Sequence, residues 1–370
     1  MVTNIVSNFK NPGTAGGRAR VYESFFNKKS MIRHFLLFVC LAWIAGGLPA
    51  QDPVFSQFYA APAQLNPALA GTTYAPRIAF NYRNQWPGLN AYVTYAAAYD
   101  QFASGINSGF GLMLLGDDQG EGLIKSTQVK GLYSYRLRVA GDFFVKIGVE
   151  AGFNQSNYDW DRFIFLDQLD KLNGPYDPSG SLNPTEEQRP ESTSRTYFDI
   201  GAGMVAYTPR FYAGFSLRHL TQPEDGVLRV NDQITDGLPL LYSLHLGTEI
   251  TLREGNKRRG GTFISPNLLV IRQADFGQIN VGAYGGLGAF FIGTWYRHAW
   301  TNPDALILMG GARFGIFKIG YSYDLTLSQL ASAPSGGSHE ISFIMNFENS
   351  EAYRRHVKNT RYNDCFQLFR

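Results

Sequence analysis

Ser338 and His339 stand side by side, and His34, His219, His245, His298, His339 and His356 are the six histidines of the chain. A serine hydrolase needs a hydroxyl that an imidazole can deprotonate, and a metal centre needs several converging donors. The spacing supplies neither. Adjacent residues of a strand point to opposite faces, so Ser338 and His339 make no pair. No G-x-S-x-G elbow occurs, and the glycine runs lack the strand–loop–helix setting of a phosphate loop. Cys40 and Cys365 are the only cysteines. Cys40 falls inside an apolar leader and follows Phe38 and Val39, not the small residues of a lipoprotein signal, so the mature chain keeps one thiol and no internal disulfide. The sequence reads as non-enzymatic, with no cofactor and no metal.

The charged groups left to carry function are Lys146, Glu150, Asp199, Arg218, His245, Glu249, Arg313, Lys318, Asp324 and Glu340. They fall on the polar faces of alternating runs. In FFVKIGVEAGFN, 143–154, Phe143, Val145, Ile147, Val149, Ala151 and Phe153 share one face, and Lys146, Gly148, Glu150, Gly152 and Asn154 the other. That is the period of a strand. FYAGFSLR (211–218), FKIGYSYDLT (317–326) and HEISFIMNF (339–347) repeat it.

Such runs predict fourteen strands, near 77–85, 91–99, 107–115, 124–138, 143–154, 195–207, 210–218, 240–250, 263–272, 276–284, 287–297, 305–314, 317–325 and 338–347. Most reach the roughly 9–11 residues a tilted membrane-crossing strand needs. The 40 glycines, the 15% aromatic content and the 17% charged content fit many strands joined by tight turns. The net charge of +3 gives no case for nucleic acid.

Links after the fourth, sixth, tenth and twelfth strands read short, and those after the fifth, seventh, eleventh and thirteenth longer, with about 155–194 after the fifth. Short turns at one end and long loops at the other are the habit of outer-membrane barrels. The fold class is therefore all-β, a transmembrane antiparallel β-barrel over 77–347 with both termini periplasmic. Tyr321, Tyr323, Phe211, Tyr207 and Trp295 or Tyr296 are candidates for an aromatic girdle facing lipid. Mixed signs on the polar faces point to a lumen of neutralising charges, above all Lys146, Glu150, Asp199, Arg218, Glu249, Lys318 and Asp324.

Ahead of the barrel, residues 31–50 read as a signal peptide: Met31, Arg33 and His34, an apolar run, and a small-residue exit at Ala50. Residues 1–30 read as an upstream extension outside the mature protein, which begins at Gln51. In 51–76, Pro53, Pro62, Pro67 and Pro76 fix φ and remove donors, Asn66-Pro67 starts a turn, and Gly71 is free to take a positive φ. Phe55, Phe58, Tyr59 and Leu65 need burial in the barrel mouth or against its rim. The segment is thus a plug or a docking strip, with Phe55, Gln57, Tyr59, Asn66, Pro67 and Gly71 as its candidate residues.

Three blocks carry a family resemblance: DPVFSQFYAAPAQLNPALAG at 52–71, NYRNQWPG at 81–88, and SHEISF at 338–343. Together they resemble the PorP/SprF family of outer-membrane proteins attached to the type IX secretion system of Bacteroidetes, across essentially the whole mature chain. The resemblance implies a non-enzymatic barrel in the outer membrane. Its implied partners are periplasmic ring proteins, including a ring lipoprotein, and exported cargo such as a surface or gliding adhesin, besides membrane lipid.

Within YRNQWP, Arg83 is expected to pair in the lumen and Trp86 to anchor at the interface. The long loop carries Trp160 and Phe163 as contacts for cargo, or as a short helix tucked into the mouth. The tail 348–370 is basic through Arg354, Arg355 and Lys358 and offers a periplasmic contact. Two rivals stand beside this reading: a passive channel or transporter for small or hydrophobic solutes, and a secreted β-sandwich adhesin.

Overall fold

The computed structural model describes residues 52–170, 173–224, 237–253, 261–328 and 335–349. The stretches read as an upstream extension and a signal peptide, and the part of the basic tail with Arg354, Arg355 and Lys358, lie outside them. Every long run of alternation becomes a strand: β1 (Arg77–Gln85), β2 (Tyr92–Ala103), β3 (Ser108–Gln119), β4 (Ile124–Ala140), β5 (Phe143–Tyr158), β6 (Ser194–Tyr207), β7 (Phe211–Arg218), β8 (Leu241–Thr248), β9 (Ile250–Arg253), β10 (Thr262–Gln273), β11 (Phe276–Leu287), β12 (Phe290–Ala299), β13 (Pro303–Phe314), β14 (Phe317–Thr326) and β15 (Ser338–Asn346).

Each strand pairs antiparallel with its neighbour, and β15 pairs with β1, so the sheet closes on itself. β8 and β9 both pair with β10 along one line and count as a single interrupted strand, which makes fourteen around the barrel. The interruption has a local cause. Pro266, in β10, has no N–H to give. The partner strand breaks opposite it, and the Glu249 N–H turns to the Arg210 carbonyl at 2.8 Å.

The wall is inverted relative to a water-soluble protein. Inward residues such as Lys130, Lys146, Glu150, Asn154 and Asp199 are buried, while outward ones such as Ile147, Phe153, Phe211 and Ile292 are exposed. A closed ladder satisfies every wall amide internally, and an apolar outer face suits hydrocarbon; together they describe a barrel that crosses a membrane. No helix among the described residues is long and apolar enough to cross one.

Of the expected aromatic girdle Tyr207 faces the other way, and of the alternatives Trp295 and Tyr296 it is Tyr296 that points outward. Tyr207 and Trp295 are buried on the lumen side, whereas Phe211, Tyr296 and Tyr321 point outward. The link after the eleventh barrel strand is also shorter than expected, only 300–302. At one end, here the near mouth, β1 begins, β15 finishes, and turns 141–142, 208–210, 288–289 and 315–316 are tight; the far mouth carries 159–193 and 219–240.

Residues 52–76 do not stay at one rim. Asp52 lies at the far mouth beside His219 and Gln273, and Tyr74 at the near mouth beside Phe102, so the segment threads the lumen. Asp52 and Asn349, the first and last described residues, are therefore at opposite mouths. The ends that were expected on one side lie outside the described residues; the leading segment enters through the mouth the barrel strands do not start from.

Candidate functional site

The threaded segment meets the wall through polar contacts along its length and through one aromatic cluster. At the far mouth Glu340 accepts the backbone N–H groups of Ser56 (2.6 Å) and Gln57 (2.8 Å) and pairs with Arg83. Asp324 receives the Ser56 hydroxyl at 2.6 Å and lies 3.1 Å from Arg83 and 3.0 Å from Arg297. Deeper in, the Gln57 amide donates to Ser322 Oγ at 3.1 Å and accepts from Ser342 Oγ at 2.7 Å. Arg83 and Glu340 are register partners across the closing β1–β15 ladder. The blocks 52–71, 81–88 and 338–343 thus converge on one place.

On the opposite wall, Lys130 lies between Glu150 (3.0 Å) and Asp199 (3.1 Å), and Arg218 approaches Glu150 at 3.2 Å. His219 extends this network to the segment. Its Nδ1 is 3.0 Å from Asp199 and its Nε2 3.0 Å from Asp52. Three cations face three carboxylates, so the buried charges neutralise one another. Burial alone would depress the His219 pKa. The facing Asp52 charge and the hydrogen bonds to Asp199 and Asp52 outweigh it and raise the group to about 9. Asp52 is held well below the usual carboxylate range: burial opposes this, and the His219 charge prevails.

A pH dependence follows. The folded pKa lies above the ordinary 6.5, so this link is fully present below about 6.5 and is lost as pH rises through about 9. Hydrogen exchange at 52–57 is expected to accelerate between pH 7 and 10 beyond the intrinsic rate. A His219→Gln variant should exchange faster already at pH 7 and lose the extra pH dependence. Identical profiles for the two proteins would refute the link.

Midway through the lumen, Asn66 Oδ1 accepts the Ala68 N–H at 2.9 Å, and its amide donates to the carbonyls of Met204 (3.2 Å) and Phe215 (3.1 Å). The side chain both builds the Asn66-Pro67 turn and ties it to β6 and β7. Gly71 takes φ +62°, and a Cβ there would meet Gly109 Cα at 2.6 Å. Its N–H donates to Asp100 at 2.7 Å, the carboxylate that also holds Arg77 at 2.8 Å. Lys146 donates to the Ala70 carbonyl at 2.6 Å. Phe58 and Tyr59 pack on Trp295, and Lys318 sits 5.4 Å above the Tyr59 ring and 5.1 Å above Phe291.

The structure brings Phe55, Gln57, Tyr59, Asn66, Pro67, Gly71 and Arg83 into the lumen with Lys146, Glu150, Asp199, Arg218, Lys318 and Asp324. Glu249 sits at the strand break, half-buried, and Trp86 lies on the far-mouth link against Tyr92. Lys130, Arg297, His219 and the Arg77–Asp100 pair were missed. For Lys130 a signal existed, since it shares strand parity with Gln128 and Ser134 in a run already read as a strand.

The far-mouth loop 159–193 contains no α-helix in its described part; its apolar half forms 3-10 turns at Trp160–Arg162 and Leu166–Gln168. Trp160 is buried against Phe165, with centroids 4.9 Å apart. Asp167 accepts the Thr185 hydroxyl (2.9 Å) and the Glu186 N–H (2.6 Å), and Gln168 and Asn183 exchange side-chain to backbone bonds at 2.7 and 2.8 Å. The loop thus has its own hydrogen-bonded frame and holds Ile164, Leu169 and an 88% exposed Leu166 outward. These three residues and Leu182, rather than Trp160, contribute its exposed aliphatic surface.

The profile of a family described as "Type IX secretion system membrane protein PorP/SprF" matches residues 48–345. No curated protein matches the chain. Among solved structures the chain is similar to the outer membrane protein Omp33 of Acinetobacter baumannii (8% identity, TM-score 0.40, covering 75% of this chain and 100% of that one). It is also similar to a Pseudomonas aeruginosa FadL homologue (12%, 0.35, 74% and 90%). A third likeness is to a mutant of the monoaromatic hydrocarbon channel TodX (10%, 0.41, 81% and 95%).

Proposed function

The chain belongs to the PorP/SprF family of type IX secretion system membrane proteins, and from that premise we propose that this outer-membrane barrel acts by binding at its two mouths and not by catalysis or conduction. The observation that carries the reading is the threaded segment, which fills the lumen and is tied to the wall at both ends and in the middle. A lumen occupied in this way favours a protein that works through its rims.

The near mouth is then the periplasmic one, in keeping with the habit of bacterial barrels whose tight turns face the periplasm. It meets ring proteins of the secretion machine, with Arg354, Arg355 and Lys358 of the tail as candidate contacts. The far mouth supports export or surface attachment of cargo such as an adhesin. Exposed apolar residues on a structured loop in water are a usual mark of a protein-binding site, and Ile164, Leu166 and Leu169 fit that role.

The test is a tagged pull-down from detergent-solubilised outer membranes. The mature chain should bring down periplasmic ring components and a surface protein. Removing 348–370 should lose the ring, and Leu166→Asp should lose the surface protein by tenfold or more while keeping the ring. A correctly inserted barrel that captures neither would overturn the reading and favour a solute channel.

A further inference from the structure

The outer wall is not uniformly convex. Where β8 breaks opposite Pro266, a hollow of about 630 Å³ opens toward the near mouth. Ala206, Ala213 and Pro266 keep its floor low, and the larger Phe211, Leu246 and Leu268 stand around it. The volume lies in the range of small-molecule sites, roughly 300–1,000 Å³.

We propose that this hollow binds one anionic phospholipid of the adjoining leaflet, with an acyl chain in the depression and the phosphate at Arg210. The hollow is continuous with the apolar face that already meets hydrocarbon. An unfilled depression there would forfeit the dispersion contacts that dense packing supplies, and a flexible chain restores them. The mouth end of the hollow supplies the other half of the ligand. Thr208 lines it, and the same tight turn carries Arg210, an exposed residue that makes no ion pair among the described residues.

The carbonyl of Arg210 accepts the Thr248 hydroxyl at 2.9 Å as well as the Glu249 N–H, so the turn is fixed to the broken strand.

Native mass spectrometry of the detergent-purified barrel, delipidated and then offered phosphatidylglycerol or uncharged diacylglycerol, tests this. The wild type should retain one phosphatidylglycerol and at least tenfold less diacylglycerol. Ala213→Trp, which fills the floor, should lower retention about tenfold, and so should Arg210→Glu, which changes only an exposed turn. Leu308→Trp, elsewhere on the outer wall, should retain the lipid. Equal retention in the wild type and Arg210→Glu would overturn the proposal, as would equal retention of both lipids. Purification with an acylated peptide in the hollow in place of a phospholipid would overturn it as well.

Discussion

Replacing Glu340 with glutamine is expected to free residues 53–58 from the far mouth. The Glu340 carboxylate is fully buried, receives two backbone N–H groups of the segment, and faces Arg83. Glutamine keeps one oxygen but turns an amide NH₂ toward these donors, and it leaves the buried Arg83 with a smaller counter-charge. Removing one partner of a buried ion pair costs about 3–5 kcal/mol. That corresponds to about a 100-fold or larger rise in the population of the undocked segment. Hydrogen exchange at the Ser56 and Gln57 amides reads it directly.

Asp304→Asn is the matched comparison. It breaks the Arg297–Asp304 pair at the rim, where Asp304 is partly exposed and Arg297 still has Asp324 at 3.0 Å. A change of about 1 kcal/mol or less is expected there. If the Ser56 and Gln57 amides stay as protected in Glu340→Gln as in the wild type, Glu340 does not hold the segment.

Strand positions were legible because lipid outside and a polar interior impose the same period-two pattern on every crossing. The lumen was less legible, and particular residues show why. Ser56 and Glu340 are 284 positions apart and meet only because the barrel closes β15 onto β1. Alternation assigns each residue to a face but says nothing about which charges meet across the interior. Arg297 illustrates the point, since its partner Asp324 is two strands away and shares the Ser56 hydroxyl with it.

The choice between Trp295 and Tyr296 was open for a related reason. Trp295 lies mid-strand, where the threaded segment brings Phe58 and Tyr59 inward and creates an aromatic interior that needs partners. The need of Phe55, Phe58 and Tyr59 for burial was readable from composition. The direction of threading was not, because it depends on which wall carries the matching charges.

Deleting residues 52–71 is expected to open a wide channel through the barrel, the largest effect anticipated for any change to this protein. The ladder from β1 round to β15 is complete without the segment, so the wall should persist. Lys130, Glu150, Asp199 and Arg218 would exchange their dry pairing for water, which solvates all four. Because the exposed lining carries both signs, the pore should discriminate weakly between cations and anions.

A second variant reaches the same end without a deletion. Gly148 lies against the segment so closely that a Cβ would meet Ala68 N at 2.3 Å and Ala68 Cα at 2.5 Å, both backbone atoms that cannot swing aside. Gly148→Leu should therefore force the middle of the segment off β5 and raise conductance toward that of the deletion. Planar bilayers distinguish the cases: silence from the wild type with steps from both variants is expected. Steps of equal size from all three would mean that the segment leaves a path beside it, and the barrel would then have to be read as a channel.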